Sequence, residues 1–540
     1  MKKLRVGILD FLTNKTDDAW FESHVMLPNF ASIMPQAVGV WAEELGSDVF
    51  YETYTGREDL DRSLPADLDI VFMSCFSRAS FLAYALAAKY RAAGVATVLG
   101  GPHARSFSEH ARAYFDYVCQ LTDKQTILSI LTDCSHHEIG VVLSAHSQPT
   151  SLPGVESRAR FIDANLAKNY AERFFRTIPM IGSLGCPYSC SFCVDAPIPY
   201  QTLPYQELIE DLRFVRARYG QDTCVFWHDP NFGVRFGEYM GLIEESGSRL
   251  LHGGESSLSL LDEENLKRMK RNRWVVQVPG IESWYDFNGK GRASKTSGLE
   301  KVRRVADHVN MILSYVPYVQ TNFVFGLDGD AGAEPFELTK AFVDLAPGAF
   351  PGYSLVTDFQ NSPLSTELAG AGRSFPVPFP FLDNTSAMNV RLKNYGLREF
   401  YDAVIGVQEH TWSARAMYRR ARANGHPSVR VVNAARAVTE GRWRLGEYRK
   451  TRAWMDSDPS YMRSYRGEQR EPPQRYFDLL QRMLGRYWSH LPPGLKTPSG
   501  FVQSLKEPRH VDLIAPGALA RRGGTHAEAP DRTGLLRAGP

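Results

Sequence analysis

The chain has 540 residues, of which 43% are hydrophobic and 23% are charged. These are the fractions of globular proteins, so they exclude a disordered or fibrous chain, and the length predicts about three or four domains. Lys and Arg number 62 against 60 Asp and Glu, so the chain has no overall field that attracts nucleic acid or an anionic membrane. No apolar run reaches the roughly 20 residues of a membrane-spanning helix. The first strand pattern reaches Asp10 before a signal-peptide core forms, which favours a cytoplasmic protein.

Residues 1–135 alternate between strand and helix patterns. The predicted strands are Val6–Phe11, Val49–Tyr54, Asp69–Ser74 and Ala96–Leu99, and the predicted helices are Pro35–Leu45 and Phe81–Ala93. This order predicts a Rossmann-like, doubly wound α/β sheet that binds ligands at the carboxyl ends of its strands. Those ends carry Asp10, Ser74 and the turn Gly100-Gly101-Pro102-His103. A tight bend alone would also explain the glycines of that turn.

Residues 136–175 have mixed polarity and are predicted to be a linker, and the alternation returns in residues 176–373. The predicted strands are Met180–Ser183, Cys224–His228, Leu250–Gly253, Val275–Val278, Thr321–Phe325 and Tyr353–Val356. Six units are too few for a full eight-fold barrel, so a partial (β/α)6 TIM-type barrel is predicted, with its chemistry in the loops after the strands. Residues 374–515 are predicted to form a mainly helical domain that closes the barrel mouth. Residues 516–540 lack apolar periodicity and are predicted to be disordered.

Three of the seven cysteines, Cys186, Cys190 and Cys193, fall within eight residues. Random placement produces such a C-x3-C-x2-C pattern about one time in a thousand. An odd number of cysteines in a chain without a secretion signal indicates reduced thiols, and clustered thiolates bind zinc or iron–sulfur clusters. Structural zinc needs four ligands, and here only a distant side chain such as His228 would supply the fourth.

The segment Cys186-Pro-Tyr-Ser-Cys190-Ser-Phe-Cys193, placed after the first strand of a partial barrel, resembles the signature of the radical S-adenosylmethionine (radical SAM) superfamily. The resemblance covers about 180 residues. It implies a [4Fe–4S] cluster held by the three cysteines, with the fourth iron open to SAM. It further implies that an electron from an external donor, such as flavodoxin or ferredoxin, cleaves SAM to methionine and a 5′-deoxyadenosyl radical.

Strand-end segments of the predicted barrel resemble the SAM-binding motifs of that superfamily. They are Phe226-Trp-His-Asp229, Gly253-Gly-Glu255-Ser256, Gly280-Ile-Glu282-Ser283 and Phe323-Val-Phe325-Gly326-Leu327. The last segment resembles the one that packs adenine, and Phe192 would shelter the cluster. Acids at strand ends are also common as helix caps, and Phe192 would serve equally in a core. The resemblance implies that the SAM-binding residues are Phe192, Asp229, Glu255, Glu282, Phe325 and Gly326.

A Rossmann-like domain ahead of such a barrel resembles the cobalamin (B12)-binding class of radical SAM enzymes. The short motifs that carry this resemblance are Val98–His103 and Phe115–Val118. The D-x-H-x-x-G pattern, which supplies a histidine to cobalt in many cobalamin domains, is absent from the sequence. The resemblance implies cobalamin contacts at Asp10, Ser74, Gly100, Gly101 and His103. It implies methylation of an unactivated carbon in a small-molecule or peptide substrate, with cyclisation or oxidation as the nearest variant.

Two other functions are compatible with the sequence. A methylthiotransferase carries a second cluster on three cysteines of its N-terminal domain, and this chain has Cys75, Cys119 and Cys134 there. A non-catalytic iron–sulfur or zinc protein would instead bind RNA through C-terminal side chains, namely Trp412, Arg415, Tyr418, Arg419 and Arg420. The near-neutral total charge disfavours nucleic-acid binding.

Overall fold

Two six-stranded parallel sheets organise the chain. The computed structural model describes residues 3–12, 33–134, 140–168, 175–285, 297–383 and 387–506. The predicted tail, residues 516–540, lies outside these ranges. None of the helices in the described ranges is long and apolar enough to cross a bilayer.

The N-terminal sheet has the strand order β2-β1-β3-β4-β5-β6. Its strands are β1 (Arg5–Phe11), β2 (Asp48–Tyr54), β3 (Ile70–Cys75), β4 (Ala96–Gly100), β5 (Tyr117–Cys119) and β6 (Val141–Leu143). Its helices are α1 (Ile33–Glu44), α2 (Ser80–Ala92), α3 (Pro102–Ser106), α4 (Ser108–Ala111), α5 (Lys124–Asp133) and α6 (Val155–Lys168). The strand order reverses between β1 and β3, and ligands of doubly wound sheets bind at such a point.

The strands of this sheet are apolar on both faces because helices cover both. Leu9, Met73 and Leu99 pack in one core cluster, whereas Ile8 and Phe72 pack in another. Successive side chains of a strand point to opposite faces, so a sheet buried on both sides needs nearly continuous apolar runs.

The second sheet is the predicted partial barrel, with the order β14-β13-β12-β11-β10-β7 and a short antiparallel pair, β8–β9, beside it. Its strands are β7 (Thr177–Met180), β8 (Ser183–Leu184), β9 (Gln201–Thr202), β10 (Cys224–Trp227), β11 (Leu251–Ser257), β12 (Trp274–Glu282), β13 (Tyr318–Phe325) and β14 (Phe350–Leu355). Its helices are α7 (Tyr205–Tyr219), α8 (Phe236–Ser246), α9 (Glu263–Arg271), α10 (Gly298–Tyr315), α11 (Glu334–Leu345) and α12 (Pro363–Gly370).

The described residues after α12 are mainly helical, as predicted. The helices are α13 (Leu397–Thr411), α14 (Ala414–Ala423), α15 (Pro427–Arg436), α16 (Arg442–Ser457), α17 (Pro459–Arg466), α18 (Gln474–Leu484) and α19 (Pro498–Ser504). Contrary to the expectation for this whole region, α14 and α15 lie at the end of the barrel away from its mouth. Arg420 donates to the carbonyl of Ala349 at 3.1 Å, just before β14 begins, and Arg436 contacts Tyr318 at the start of β13. The segment 387–395 does reach the mouth, where Asn389 accepts a hydrogen bond from the Asp358 N–H at 2.9 Å.

The segment predicted as a linker contributes to the N-terminal sheet. It holds β6, which pairs with β5, and α6, whose Phe161 packs in the same core cluster as Ile8. The pattern of β6 has only three residues, which is too short for a strand to stand out by periodicity.

Gly101, the second residue of the turn after β4, has a backbone conformation that only glycine adopts easily. Its φ is +86°, and a Cβ there would lie 2.9 Å from Ser74 Oγ and 3.0 Å from the Cys75 nitrogen. The glycine is therefore required by the close approach of the turn to β3, which is the structural explanation considered above.

We predict that Gly101→Ala destabilises the protein more than Gly46→Ala does. Gly46 has φ +88° but open space around it, so alanine there costs only the left-handed conformation, about 1–2 kcal/mol. Gly101→Ala adds the overlap with β3, about 1–3 kcal/mol. Urea unfolding of the two variants measures the difference, and equal losses would contradict this explanation.

Candidate active site

The three clustered cysteines lie in one loop, which starts at the carboxyl-end side of β7 and closes on itself. Pairing of Ser183 with Thr202 and of Leu184 with Gln201 joins the two ends of the loop. Gly185, directly before Cys186, has φ +68°, and a Cβ there would lie 2.4 Å from the carbonyl oxygen of Pro199. The loop therefore closes through a contact that no other residue type fits.

The thiols of this loop are close enough to influence one another electrostatically. Burial, the Asp195 carboxylate and the thiols of Cys190 and Cys186 together raise the pKa of Cys193 to about 11. The Asp195 N–H donates to Cys193 Sγ at 3.4 Å, and the Cys193 N–H donates to the Cys190 carbonyl at 3.0 Å. Hydrogen bonds from backbone N–H groups to sulfur are one means by which proteins tune iron–sulfur clusters.

The donor set of this loop, three thiols within eight residues, matches an iron–sulfur cube with one open iron, whereas structural zinc is closed by four ligands. Within the described ranges, no group of three His, Cys, Asp or Glu side chains is arranged as the ligands of one metal ion. A four-iron cube holds its thiolate ligands further apart than a tetrahedral zinc ion does, and three thiolates leave one of its irons open. His228, the distant zinc ligand considered above, follows β10, and desolvation lowers its pKa to about 4.

Asp229 braces the start of the cysteine loop. Its carboxylate is 1% exposed and accepts hydrogen bonds from the Gly182 N–H at 3.1 Å, from Ser183 Oγ at 2.5 Å and from the Tyr239 hydroxyl. Burial raises its pKa. These partners tie the end of β10 to the residues just before Gly185, so the side chain acts within the protein and contact with SAM stays a prediction.

Glu255 and Glu282 lie on the inner face of the barrel. Along β13, Phe323 and Phe325 are buried against α11, and the alternating residues, such as Asn322, face inward. On β11, Gly254 approaches Trp227 and Trp274 on the outer side, so its neighbour Glu255 points inward, where it is exposed. On β12, Gly280 pairs with the inward-facing Asn322, and the Glu282 carboxylate occupies the position of a Gly280 Cβ. Both carboxylates thus lie toward the lumen at the carboxyl ends of neighbouring strands, where barrel chemistry is placed.

Glu282 has a strained backbone. Its φ is +66°, at a register shift between β12 and β13, and its Oε1 would lie 2.2 Å from a Cβ on Gly280. A left-handed non-glycine residue costs of order 1–3 kcal/mol and is commonest at functional sites. The strain supports a functional role for Glu282, and Gly280 leaves the space its carboxylate occupies.

Phe325 and Gly326 are predicted to contact adenine, but the Phe325 side chain does not point into the lumen. Phe325 stacks on Tyr353 and packs against Phe336 in the core, with ring centroids 5.6 and 5.3 Å away. The lumen-facing neighbour is Val324. A contact of Phe325 and Gly326 with adenine would therefore involve their backbone. Phe192 is half-buried and packs against the main core cluster.

Asp330 is a brace that the sequence analysis missed. It is 2% exposed, and it accepts hydrogen bonds from Ser283 Oγ at 3.0 Å and from the Gly326 N–H at 3.1 Å. It thereby joins the ends of β12 and β13 as Asp229 joins those of β10 and β7. In the sequence, the only feature that points to Asp330 is its position four residues after Gly326, the glycine at the end of β13.

The predicted cobalamin contacts divide into two groups. Ser74 pairs with Asp10 on one side and with Gly100 on the other, so the three residues form a row across β1, β3 and β4 at the switch point. Asp10 is 1% exposed, and its carboxylate accepts a hydrogen bond from the Tyr51 hydroxyl at 3.3 Å. The carboxylate is therefore buried inside the domain.

His103 is fully buried in α3. Its Nε2 bonds to the Tyr84 hydroxyl at 2.9 Å and its Nδ1 to Ser77 Oγ at 3.1 Å. Burial holds its pKa well below the usual value. Both ring nitrogens are used inside the domain, so a cobalamin contact through this ring stays a prediction that the geometry does not favour.

The cysteines of the N-terminal domain cannot share a second cluster. Cys75 packs in the core cluster on one face of the sheet, whereas Cys119 and Cys134 pack in the cluster on the other face. All three are less than 10% exposed. This arrangement removes the basis for a methylthiotransferase.

Two of the arginines proposed for RNA binding, Arg419 and Arg420, are used for packing, whereas Arg415 and Tyr418 are exposed. Arg419 pairs with Asp344 at 2.5 Å, and Arg420 is 2% exposed, with its guanidinium 5.2 Å from the Trp412 ring centroid. These side chains hold α14 against the barrel and do not form a basic surface.

Comparison with known proteins agrees with this architecture. No protein-family model matches the chain. The bacteriochlorophyllide d C-12(1)-methyltransferase of Chlorobaculum tepidum is 22% identical over 363 residues, which cover 66% of this chain and 78% of that protein. The radical S-adenosylmethionine methyltransferase TsrM from Kitasatospora setae, solved with tryptophan substrate and a SAM analogue, superposes with a TM-score of 0.53 at 15% identity over 83% of this chain and 100% of that chain. The cobalamin-dependent S-adenosylmethionine radical enzyme OxsB, solved with aqua-cobalamin, superposes with a TM-score of 0.53 at 10% identity over 94% of this chain and 84% of that chain.

The chain shares the fold of TsrM and OxsB. The fold class predicted from the sequence is thereby confirmed. In this fold the cysteine loop follows the first strand of the barrel, and the doubly wound domain precedes it.

We predict that Asp330→Asn removes a pH dependence of stability. Burial raises the pKa of the Asp330 carboxyl to about 6, against about 4 in an unfolded chain. The stabilisation that the protonated Asp330 carboxyl gives the folded state is therefore complete below pH 4 and is lost as the pH rises to 6. Across that window the wild type should lose up to about 3 kcal/mol relative to Asp330→Asn, with no further change above pH 6.

Asp328→Asn is the matched control for this prediction. The Arg373 guanidinium lowers the pKa of Asp328, so its stabilising effect is lost only as the pH falls below about 4. Urea unfolding from pH 4 to 7 measures both variants. A wild-type curve parallel to that of Asp330→Asn would refute the assignment.

Proposed function

We propose that the chain is a cobalamin-dependent radical SAM methyltransferase that methylates an unactivated carbon of a small-molecule substrate. The observation that carries the proposal is the loop of Cys186, Cys190 and Cys193 at the carboxyl ends of a partial barrel behind a doubly wound sheet. The methyltransferase names of the Chlorobaculum tepidum relative and of TsrM support methyl transfer over cyclisation or oxidation.

The three cysteines would hold a [4Fe–4S] cluster. When bound, the cluster supplies the electron that cleaves SAM homolytically, and cobalamin supplies the methyl group. The loop carries all three thiols, and Asp229 fixes its start through Gly182 and Ser183. Three ligands leave one iron accessible, whereas a fourth protein ligand would close it.

Glu255 and Glu282 would orient SAM. Both carboxylates lie at the mouth of the lumen, and the strained φ of Glu282 holds its side chain over Gly280. A carboxylate there can accept hydrogen bonds from the amino group or ribose hydroxyls of SAM.

The edge of the N-terminal sheet would hold cobalamin at Ser74, Gly100 and Gly101. A buried amide group at the same end of the sheet supports a ligand: within the described ranges, Asn165 Nδ2 has no hydrogen-bond partner. Asn165 accepts a hydrogen bond from Thr53 at 2.5 Å, and Thr53 pairs with Asp10 near the end of β2. Buried donors normally have partners, and a polar ligand edge would provide them.

We propose a small molecule as substrate and a low-potential protein as electron donor. TsrM was solved with tryptophan, a small molecule. The segment 387–395 reaches the barrel mouth and would contact the substrate there.

We expect the purified chain, reconstituted with iron and sulfide without oxygen, to contain about four irons and to show absorption of both cluster and corrinoid. Methyl-deuterated SAM should then give a deuterium-labelled product in the presence of substrate. Cys190→Ala should abolish iron binding and SAM cleavage but retain bound corrinoid. Eight irons per chain, or SAM cleavage that survives the substitution, would refute the proposal.

We expect Gly185→Ala to impair cluster assembly without unfolding the protein. Its Cβ would meet the carbonyl oxygens of Pro199 and Ile198 at 2.4 and 2.7 Å, so the cysteine loop must open. Iron bound after reconstitution should fall by more than half, while the far-ultraviolet circular dichroism stays unchanged. Gly220→Ala, at φ +88° in open space, should bind iron as the wild type does. Equal iron contents would show that loop closure is not needed.

A further inference from the structure

A cleft of about 580 Å³ lies outside the barrel, between α12, α17 and α19. Its volume is in the range of small-molecule binding sites. The cleft is separate from the barrel mouth, because α12 lies between them. Gly372, just beyond the C-terminal end of α12, lines the cleft. Leu364, at the other end of that helix, donates its N–H to the Ser191 carbonyl in the cysteine loop at 2.8 Å. The eight residues of α12 span about 12 Å.

Positive charge dominates the lining of this cleft. The cations are Arg391, Arg466, Arg470 and Lys506. In the part of the chain that the structure describes, no acidic residue lines the cleft, and the one ion pair joins Arg466 to the exposed Glu468 at 3.7 Å. Four cations in a concave surface focus a positive potential, which attracts anions.

Among these cations, Arg391 is fixed in position by several hydrogen bonds to backbone carbonyls. Its Nε donates to the Tyr465 carbonyl at 2.6 Å, and its Nη1 donates to the carbonyls of Gly372 and Ser374 at 2.8 and 3.2 Å. The guanidinium lies 5.4 Å from the Phe375 ring centroid. Carbonyl oxygens orient the group but do not neutralise its charge, so a half-buried cation is held in place for an anion.

One edge of that guanidinium is directed away from the carbonyls. The hydrogen bonds to the carbonyls of Tyr465, Gly372 and Ser374 use Nε and Nη1, so Nη2 is the edge on which an anion can bind. The lining of the cleft also has an apolar part, formed by Pro376, Val502 and Leu505.

We propose that this cleft binds a small organic dianion, with an apolar body against Pro376, Val502 and Leu505 and a phosphate or paired carboxylates on Arg391, Arg470 and Lys506. The apolar wall and the cations lie in one cavity of small-molecule size, which matches a ligand with both characters. The site is distinct from the barrel lumen, because none of its lining residues belongs to the cysteine loop or to a barrel strand. Arg391 belongs to the segment 387–395, but its guanidinium turns away from the mouth to the carbonyls of Tyr465, Gly372 and Ser374.

The test uses 1-naphthyl phosphate as probe, with the full chain and isothermal titration calorimetry. Naphthalene-1,4-dicarboxylate tests carboxylates as the anionic source, and 1-naphthol tests the apolar body alone. We expect at least one dianion to bind and 1-naphthol to bind at least tenfold more weakly. Arg391→Gln should weaken binding about tenfold because it removes a preorganised, charge-assisted donor.

Arg470→Gln with Lys506→Gln provides a second variant, since both side chains are exposed and the substitutions leave the Arg391 contacts intact. We expect the double variant to weaken binding severalfold and to reduce its salt dependence. Arg482→Gln, on the exposed surface of α18, is the matched control and should bind as the wild type does.

Three results would overturn the proposal: no binding of either dianion, equal binding by all variants, or an equal loss in Arg482→Gln. Binding of polyaspartate without binding of either small dianion would also overturn it, and would point to an acidic protein surface. None of these measurements requires iron, SAM or cobalamin, so their outcome is separate from that of the proposed function.

Discussion

The whole site depends on one close backbone approach, that of Gly185 to the carbonyls of residues 198 and 199. This contact, together with the β8–β9 pairing, closes the loop of residues 185–200 that carries all three thiols. A chain without the glycine would have to separate the two ends of the loop. Because the barrel strands are parallel, their carboxyl ends all meet at the same rim, so this loop lies beside Glu255 and Glu282 without further contacts to bring them together.

Buried carboxylates fix the rim of the barrel. Asp229 and Asp330 each accept hydrogen bonds from backbone and side-chain donors on a neighbouring strand end. Burial raises the pKa of both, which shows that the cost of desolvation exceeds the benefit of these bonds for the charged form. The buried carboxylates of Asp229 and Asp330 therefore fix the positions at which the loops leave the barrel strands, although burying them is costly.

The C-terminal helices serve two ends of the barrel. Arg420 and Arg436 hold α14 and α15 at the start of β13 and β14, whereas the segment 387–395 reaches the strand ends. In the sequence these segments share a basic and aromatic composition, and composition carries no information about which end of a barrel a helix covers. Only the packing of each arginine separates them.

The sequence by itself determined the six-stranded barrel sheet and the first four strands of the N-terminal sheet, because apolar runs with glycine at helix ends are local signals. The three-residue strands β5 and β6 are too short to show such a signal. The sequence also determined the cysteine motif, because spacing is read directly. Tertiary structure alone decided which candidates face the lumen. Asp229 and Phe325 stand at strand ends just as Glu282 does, yet their side chains turn to internal partners. The direction of a side chain depends on strand register and on neighbours distant in the chain, and the sequence of one strand contains neither.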